Sequence, residues 1–256
     1  MLKNTLITAA KESGKLMKEY STKQFTIDSK DSLNNLVTEV DHASEKLIIG
    51  IIREQFPDHY ILTEESGDLP KESNIKWIID PIDGTVNFAN GIPLCCVSIA
   101  VEKDGEVIMG AVFNPFIDEF FFAEKGKGAF LNDEPIRVSN KNNVSGSCLV
   151  TGFPYKYNEG QGLLETFSSF IKQGVPLRRL GSAAIDLCWV ACGRFDGYYE
   201  FFLNPWDSAA GFLIVQEAGG RVTNFQGKNF TPYQEQIIAT NGHIHDELVQ
   251  WINNIK

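Results

Sequence analysis

The stretch Trp77–Thr85 reads W-I-I-D-P-I-D-G-T and contains two acids directly after an apolar run. The apolar run W-I-I is typical of the end of a buried strand. Asp80 and Asp83 follow it, and Pro81 restricts the backbone between them. Because like charges held this close repel each other, we expect a positive group between the two carboxylates. A hard divalent cation, which binds carboxylate and carbonyl oxygens, is the simplest candidate.

The residues after Asp83 predict an anion site. Gly84 and Thr85 open a predicted helix, and the N–H groups of Gly84, Thr85 and Val86 would have no partner within that helix. N–H groups at the start of a helix form a favourable site for phosphate. The hypothesis from this stretch alone is a divalent metal beside a phosphate-binding turn.

The composition limits the classes of function. The chain has 256 residues and a net charge of −10, and no cluster of Lys or Arg stands out. Non-specific binding to nucleic acid or to an anionic membrane needs a basic patch, so we expect neither. The charged N-terminus lacks the apolar core of a signal peptide, and no stretch approaches a membrane span. We therefore expect a soluble, cytoplasmic protein.

Cysteine and histidine spacing gives no second metal site. None of the five cysteines forms a C-x-x-C pair, and we predict small core residues in a reducing compartment. His243 and His245 form an H-x-H near the C-terminus, but no other ligand candidates lie nearby in sequence. We interpret both as surface histidines.

Residues 1–140 are predicted to form an N-terminal α+β half. Apolar residues at helical spacing predict a helix over 2–20, and a second helix is expected from Thr38 to 56–57, with Asp41 in its first turn. Residues 25–35 are polar and irregular, and we interpret them as a mobile loop. Besides the strand ending at Asp80, the predicted strands of a largely antiparallel sheet are 60–63, 94–102, 106–113, 119–124 and 126–131.

Residues 141–256 are predicted to form a C-terminal α/β half, because helices and strands alternate there. The expected helices are 163–173, 183–192, 206–218 and 245–255. The expected strands are 147–151, 176–180, 196–202, 221–224 and 237–240. Gly181 opens one of these helices and would let a ligand approach the backbone. Asp207 lies in the first turn of another, and on spacing alone both Asp207 and Asp41 are equally well explained as helix-terminal acids.

Seven separated stretches together resemble one family. They are L-V-T-E-V-D at 36–41, E-E-S at 64–66, D-P-I-D-G-T at 80–85, G-S-A-A at 181–184, Y-Y-E at 198–200, W-D-S-A-A-G at 206–211 and E-A-G-G at 217–220. In this order they resemble the inositol monophosphatase family, within the lithium-sensitive, magnesium-dependent sugar phosphatases. The resemblance implies a layered α-β-α-β-α sandwich of mixed α+β and α/β type. Its N-terminal sheet would be rich in antiparallel pairs and its C-terminal sheet mixed, with the site between the halves.

The resemblance also implies metal ligands. Glu64, Asp80 and the carbonyl of Ile82 would hold a first Mg²⁺. Asp80, Asp83 and Asp207 would hold a second, and a third, weaker ion would bind at Glu64 and water. The cofactor expected from the resemblance is thus two or three Mg²⁺ ions per site.

The remaining implied roles concern water, phosphate and polyol. Asp41 and Thr85 would position or polarise the attacking water. Glu64 would be a catalytic residue as well as a metal ligand. Gly84 and Thr85 would bind the phosphate through backbone N–H groups. The implied substrate-binding residues are completed by Asp83, Gly181, Ala183 and Glu200, and Lys30 would lie in a lid loop over the metals.

The resemblance implies a phosphoric monoester hydrolase that cleaves myo-inositol 1-phosphate to inositol and phosphate, acting as a homodimer. Relatives on this scaffold also cleave fructose 1,6-bisphosphate, NADP, 3′-phosphoadenosine phosphates or histidinol phosphate. Glu200 favours a neutral polyol, because a carboxylate repels a second phosphate; Arg178 and Arg179 could instead bind one, or contact a subunit. Some bacterial relatives contact the transcription machinery, so a binding protein is the alternative class. The sequence leaves the physiological substrate, lithium sensitivity and oligomeric state open.

Overall fold

The computed structural model describes residues 1–29, 36–154 and 162–254 of the chain. Its helices are α1 Leu2–Tyr20, α2 Glu39–Gln55, α3 Thr85–Ala89, α4 Leu163–Lys172, α5 Ala183–Ala191, α6 Pro205–Glu217 and α7 His245–Asn253. The strands of its first half are β1 Ile27–Ser29, β2 Leu36–Thr38, β3 Tyr60–Thr63, β4 Gly67–Leu69, β5 Ile75–Asp83, β6 Cys96–Lys103, β7 Glu106–Asn114, β8 Glu119–Glu124, β9 Ala129–Leu131 and β10 Glu134–Pro135. The strands of its second half are β11 Leu149–Thr151, β12 Leu177–Arg178, β13 Gly197–Glu200, β14 Arg221–Thr223 and β15 Ile237–Thr240.

Two large sheets organise the described chain. The first has eight strands in the order β10-β9-β8-β7-β6-β5-β3-β4, and its pairs are antiparallel apart from β3 with β5. The second has five strands in the order β12-β11-β13-β15-β14. There β11 runs parallel to both its neighbours, whereas β15 is antiparallel to β13 and β14. The predicted antiparallel-rich first sheet and mixed second sheet are confirmed.

Helices cover both faces of each large sheet, which gives five layers. Helices α1 and α2 pack on the outer face of the first sheet, and α5 and α6 lie between the sheets. Helices α4 and α7 close the outer face of the second sheet. Strand β5 is almost entirely buried because helices cover it on both sides. The predicted α-β-α-β-α sandwich is confirmed.

The two predicted halves share their central core. One apolar cluster contains Ile78 and Cys96 of the first sheet, Leu187 and Leu213 of the intervening helices, and Tyr198 of the second sheet. All five cysteines are free thiols that are buried or half-buried. The boundary between 1–140 and 141–256 stays a prediction.

Three local predictions were wrong. Residues 27–29 of the predicted loop form β1, which pairs with β2, while 30–35 lie outside the described residues. The short strands β2, β4 and β10 were not predicted. His245 is fully buried between the hydroxyls of Thr223 and Thr240, each 2.9 Å from a ring nitrogen, whereas His243 is exposed as predicted. No helix among the described residues has the length and apolar character needed to cross a membrane.

Candidate active site

A bulge at the end of β5 brings its two aspartates to one face of the sheet. In a regular strand, residues three positions apart point to opposite faces. Asp80 pairs with Ser98, however, and Asp83 pairs with Cys96, so three steps on β5 match two on β6. An extra residue of this kind redirects the side chains that follow it. Asp80 and Asp83 therefore face the same side of the sheet.

The start of α2 adds a third acid. Thr38 caps the helix, and Asp41 completes a capping box by accepting hydrogen bonds from the Thr38 backbone N–H at 2.7 Å and hydroxyl at 2.6 Å. The other carboxylate oxygen of Asp41 lies 3.1 Å from the hydroxyl of Thr85. Burial is the main cause that raises the pKa of Asp41 above its usual value. Asp41 thus caps a helix and contacts the predicted phosphate turn.

Helix α5 fixes the orientation of Asp83. The Ser182 hydroxyl donates to Asp83 Oδ2 at 2.6 Å, and the Ala184 backbone N–H donates to the same oxygen at 2.7 Å. Ser182 is the N-cap of α5 and also accepts from the N–H of Ile185. One Asp83 oxygen is therefore held by the helix that separates the two sheets.

The start of α6 supplies a further acid. Asp207 is half-buried, and its Oδ2 accepts a hydrogen bond from the Asn204 backbone N–H at 2.6 Å within a capping box. The cap explains why an acid stands at this position, and Asp207 also lines the adjoining cavity.

The predicted ligands line one cavity of about 310 Å³ between the two sheets. Its wall contains almost the whole predicted set: Glu64, Asp80, Ile82, Asp83, Gly84, Thr85, Gly181, Ala183, Glu200 and Asp207. Asp41 is not one of these lining residues, but its carboxylate contacts the hydroxyl of the lining residue Thr85. Lys30 lies outside the described residues. Side chains from distant parts of the chain are thus brought together, while their individual roles stay predictions.

The cavity is strongly acidic. Six acids line it and Arg179 is the one basic residue among its described lining residues. Burial, followed by the charge of Glu64, raises the pKa of both Asp80 and Asp207 well above the usual value, and a side-chain hydrogen bond joins Asp80 to Glu64. Burial also raises the pKa of Asp83 to about 6. The carboxylates therefore destabilise one another's charged forms, as expected where a cation would bind.

The donor set fits a hard divalent cation. Carboxylates and the Ile82 carbonyl are the oxygen ligands that Mg²⁺ and Ca²⁺ prefer. Within the described ranges, no three His, Cys, Asp or Glu side chains already form a metal cage. Glu64, Asp80, Asp83 and Asp207 nevertheless line one cavity together with Ile82.

Gly84 and Gly181 both line the cavity and lie close to each other. Both have left-handed backbone, with φ of 89° and 91°, a conformation that glycine adopts at little cost. A Cβ on Gly84 would lie 2.9 Å from the Leu94 carbonyl oxygen and 3.1 Å from that of Gly181. A larger residue at 84 would therefore disturb the turn that carries the predicted phosphate N–H groups.

Glu200 is a further acid that lines the cavity. Tyr198 donates a hydrogen bond to Glu200 at 2.5 Å, and burial raises the pKa of Glu200 to about 7. Gly152 packs directly against this carboxylate, since a Cβ there would lie only 2.1 Å from Glu200 Oε1. Arg179 lines the cavity and its guanidinium lies beside Gly181, whereas Arg178 belongs to the edge strand β12 and does not line the cavity.

Sequence reasoning missed Asp186. It lies in the first turn of α5, is 1% exposed and lines the cavity. Neither of its carboxylate oxygens has a hydrogen-bond partner within the described chain. Burial raises its pKa well above the usual value. The apolar surroundings in A-A-I-D-L-C were the available signal, because an acid in such a run rarely faces solvent.

Comparison with known proteins identifies the family. Residues 2–256 match the inositol monophosphatase family, and the chain belongs to it. An inositol-1-monophosphatase of Synechocystis sp. is 46% identical over 230 residues, covering 88% of this chain and 79% of the relative. A Nus factor SuhB of Pasteurella multocida is 42% identical over 252 residues, covering 97% and 94%. The crystal structure of extragenic suppressor protein suhB of Bartonella henselae matches with a TM-score of 0.93 and 36% identity, covering 99% of this chain and 98% of that one.

Family membership supports phosphatase activity, and the family is generally metal-dependent. Small phosphorylated sugars or polyols are the ligands that such a family suggests.

Proposed function

We propose that this protein is a Mg²⁺-dependent phosphatase that hydrolyses a polyol monophosphate, with myo-inositol 1-phosphate as the preferred substrate. The observation that carries the proposal is the convergence of Glu64, Asp80, Asp83 and Asp207 on one cavity beside the Gly84–Thr85 turn. The name of the Synechocystis relative supports the choice of substrate.

The proposed metal ligands are Glu64, Asp80, Asp83 and Asp207 with the carbonyl of Ile82. When bound there, Mg²⁺ would supply charge neutralisation for the phosphoryl group and acidify water. Two or three ions are proposed, because six acids line the cavity and one arginine cannot balance their charge.

Asp41 and Thr85 are proposed to orient the attacking water. The Thr85 hydroxyl lies 3.1 Å from Asp41 and 3.0 Å from the Ile82 carbonyl oxygen, so it is held between two acceptors. A buried carboxylate with a raised pKa accepts a proton more readily than an exposed one. In this arrangement Asp41 takes the proton that the water releases, through Thr85.

The phosphate and the polyol occupy adjoining parts of the cavity in the proposed complex. Backbone N–H groups of Gly84 and Thr85 would hold the phosphate, and Asp83, Gly181, Ala183 and Glu200 would contact the polyol. Glu200 accepts hydrogen bonds from hydroxyl groups but repels a second phosphate. This charge favours a monophosphate over fructose 1,6-bisphosphate, NADP or a 3′-phosphoadenosine phosphate.

A phosphate-release screen tests this proposal. Purified protein is assayed with and without Mg²⁺ on myo-inositol 1-phosphate, fructose 1,6-bisphosphate, NADP and 3′-phosphoadenosine 5′-phosphate. We expect Mg²⁺-dependent release with the highest kcat/KM for the inositol ester. A higher value for the bisphosphate would assign Arg179 to the second phosphate and would overturn the choice of substrate.

A second proposed function is binding within a transcription complex, because the Pasteurella multocida relative is named a Nus factor. Direct contact with nucleic acid is not part of this proposal, since the net charge is −10. Purified RNA polymerase and Nus proteins would be tested for capture by the unmodified protein and by Asp83→Asn. Equal capture by both would show a binding role that is independent of catalysis.

The homodimer implied by the resemblance also stays a proposal. Light scattering coupled to size-exclusion chromatography would give the molar mass directly. A mass of one chain at micromolar concentration would exclude a stable dimer.

A further inference from the structure

Glu45 is a buried acid on the inner side of α2, outside the set of residues with proposed catalytic roles. Its side chain is 4% exposed. It accepts hydrogen bonds from the Thr63 hydroxyl at 2.6 Å, the Glu65 N–H at 3.1 Å and the Ser66 N–H at 3.3 Å. The Ser66 hydroxyl donates to its second oxygen. One carboxylate thus receives four donors from the turn at 63–66.

This turn carries Glu64. The backbone N–H of Glu64 donates to the Ile79 carbonyl oxygen at 3.2 Å, which continues the parallel pairing of β3 and β5. After Glu64 the chain leaves β3, and Glu45 accepts hydrogen bonds from the N–H groups of the next two residues, Glu65 and Ser66. The position of the Glu64 side chain relative to Asp80 therefore depends on contacts from β5 on one side and from Glu45 on the other.

Ser44, which precedes Glu45 on α2, contacts a second segment that supplies proposed metal ligands. Ser44 donates to the Pro81 carbonyl oxygen at 2.9 Å, inside the bulge between Asp80 and Asp83. Ser13 of α1 lies 2.5 Å from Ser44 and completes this buried pair of hydroxyls. Helix α2 therefore contacts two of the three segments that supply proposed metal ligands, through the adjacent residues Ser44 and Glu45.

We propose that Glu45 is a positioning residue that sets the separation of Glu64 from Asp80 and thereby the affinity of the site for divalent cations. The inference rests on the proposed function, since it assigns Glu45 to the same metal site. Partners that orient metal ligands typically change metal affinity by about 10- to 100-fold when they are removed.

The geometry distinguishes this role from that of an ordinary buried acid. Within the described residues, the four hydrogen bonds of Glu45 all come from the end of β3 and the turn that follows it, so they act on the segment that carries Glu64. In Glu45→Gln, the amide oxygen can face the Thr63 hydroxyl and the two N–H groups while the NH₂ group donates to the Ser66 hydroxyl, so the hydrogen bonds lose the negative charge that strengthens them. The turn that carries Glu64 is then held less firmly.

The test measures Mg²⁺ binding by isothermal titration calorimetry on four proteins. They are the unmodified protein, Glu45→Gln, Ser66→Ala and the control Glu54→Gln. Glu54 is exposed on the same helix, so its variant removes the same charge away from the turn. Ser66→Ala removes one donor to Glu45 without changing any charge, which separates positioning from long-range electrostatics. Because Ser66 is exposed, this variant also carries the test where Glu45→Gln does not fold.

We expect the Mg²⁺ affinity to fall at least 10-fold in Glu45→Gln and about threefold in Ser66→Ala, following the range for such partners, and to stay unchanged in Glu54→Gln. At saturating Mg²⁺, kcat should recover to near the unmodified value, which a merely unstable variant would not show. Unchanged affinity in both Glu45→Gln and Ser66→Ala overturns the inference while leaving the proposed function intact. Failure of the unmodified protein to bind Mg²⁺ overturns both.

Discussion

The carboxylate of Asp41 and the hydroxyl of Thr85 lie 3.1 Å apart, although 44 positions separate them in the chain. Asp41 belongs to the first turn of α2 and Thr85 to the first turn of α3, so the contact joins the starts of two helices. The same carboxylate caps α2. Asp41 is therefore both a helix cap and the proposed proton acceptor, so a substitution there affects both stability and catalysis.

Asp41→Asn is predicted to lower kcat by about 10²- to 10⁴-fold, the usual range for loss of a positioned acid or base. It should also lower the free energy of unfolding by about 1 kcal/mol, since an amide is a poorer partner for the Thr38 donors. Steady-state kinetics and thermal unfolding measure the two effects. Unchanged kcat with reduced stability would show that Asp41 acts only as a cap.

Gly152→Ala is predicted to impair binding of the polyol. The added Cβ would lie 2.1 Å from Glu200 Oε1, so the Glu200 carboxylate must move. We expect KM for myo-inositol 1-phosphate to rise about 10-fold, the cost of roughly one hydrogen bond to a charged group. An aryl phosphate without hydroxyl groups provides the control, because its KM should not change. An equal rise for both substrates would contradict the placement of Glu200 at the polyol.

Metal-free protein is predicted to lose stability as the pH rises from 6.5 to 8. Burial raises the pKa of Asp83 to about 6 and that of Glu200 to about 7. A carboxyl whose folded pKa is raised stabilises the fold below its unfolded pKa, and this contribution is lost as the pH rises through the folded pKa. His245, with its pKa lowered to about 4, acts in the opposite direction, but mainly below pH 6.5.

Thermal unfolding at several pH values, with EDTA or with Mg²⁺, checks this prediction. The melting temperature in EDTA should fall between pH 6.5 and 8, and Mg²⁺ should restore more of it at the higher pH. Glu200→Gln should reduce the slope. A melting temperature in EDTA that rises over this interval would contradict the raised pKa values.

Asp186→Asn is predicted to stabilise the ligand-free protein. Both oxygens of Asp186 are buried, and neither has a partner among the described residues. At neutral pH the carboxyl group of Asp186 is charged in the unfolded chain, so folding must either remove this charge or bury it, and both cost free energy. A neutral amide avoids this cost. A gain of about 1 kcal/mol would raise the melting temperature by roughly 2–4 °C for a protein of this size. A lower melting temperature would show that the carboxylate has a stabilising partner, such as buried water.

Much of the fold follows from local patterns. Apolar spacing gave α1 at its observed bounds, and turn residues separated β6, β7 and β8 near their observed ends. Strands β1, β2, β4 and β10 were missed because they are only two or three residues long and show no usable periodicity. Pairing with neighbouring strands, rather than local preference, determines such elements.

Part of the candidate site could likewise be predicted from local sequence patterns, and part could not. The acids of D-P-I-D-G-T were visible because charge directly after an apolar strand is unusual, and the resemblance supplied the distant partners. The bulge that turns Asp80 and Asp83 to one face could not be read from spacing, because it depends on the register with β6. His245 was misassigned for a similar reason: its partners Thr223 and Thr240 meet it only in the folded sheet. No sequence motif marks Glu45 or Asp186, because the roles inferred for them depend on their surroundings in the folded protein.

Phosphate release from myo-inositol 1-phosphate, measured against Mg²⁺ concentration, tests the central claim most directly. The unmodified protein is compared with Asp80→Asn, which removes the acid at the centre of the proposed site, and with Asp68→Asn as an exposed control. The account predicts Mg²⁺-dependent release in the unmodified and control proteins and a loss of at least 10³-fold in Asp80→Asn, an effect typical of removing a group that stabilises the transition state. Release that needs no divalent ion, or that survives in Asp80→Asn, would contradict it.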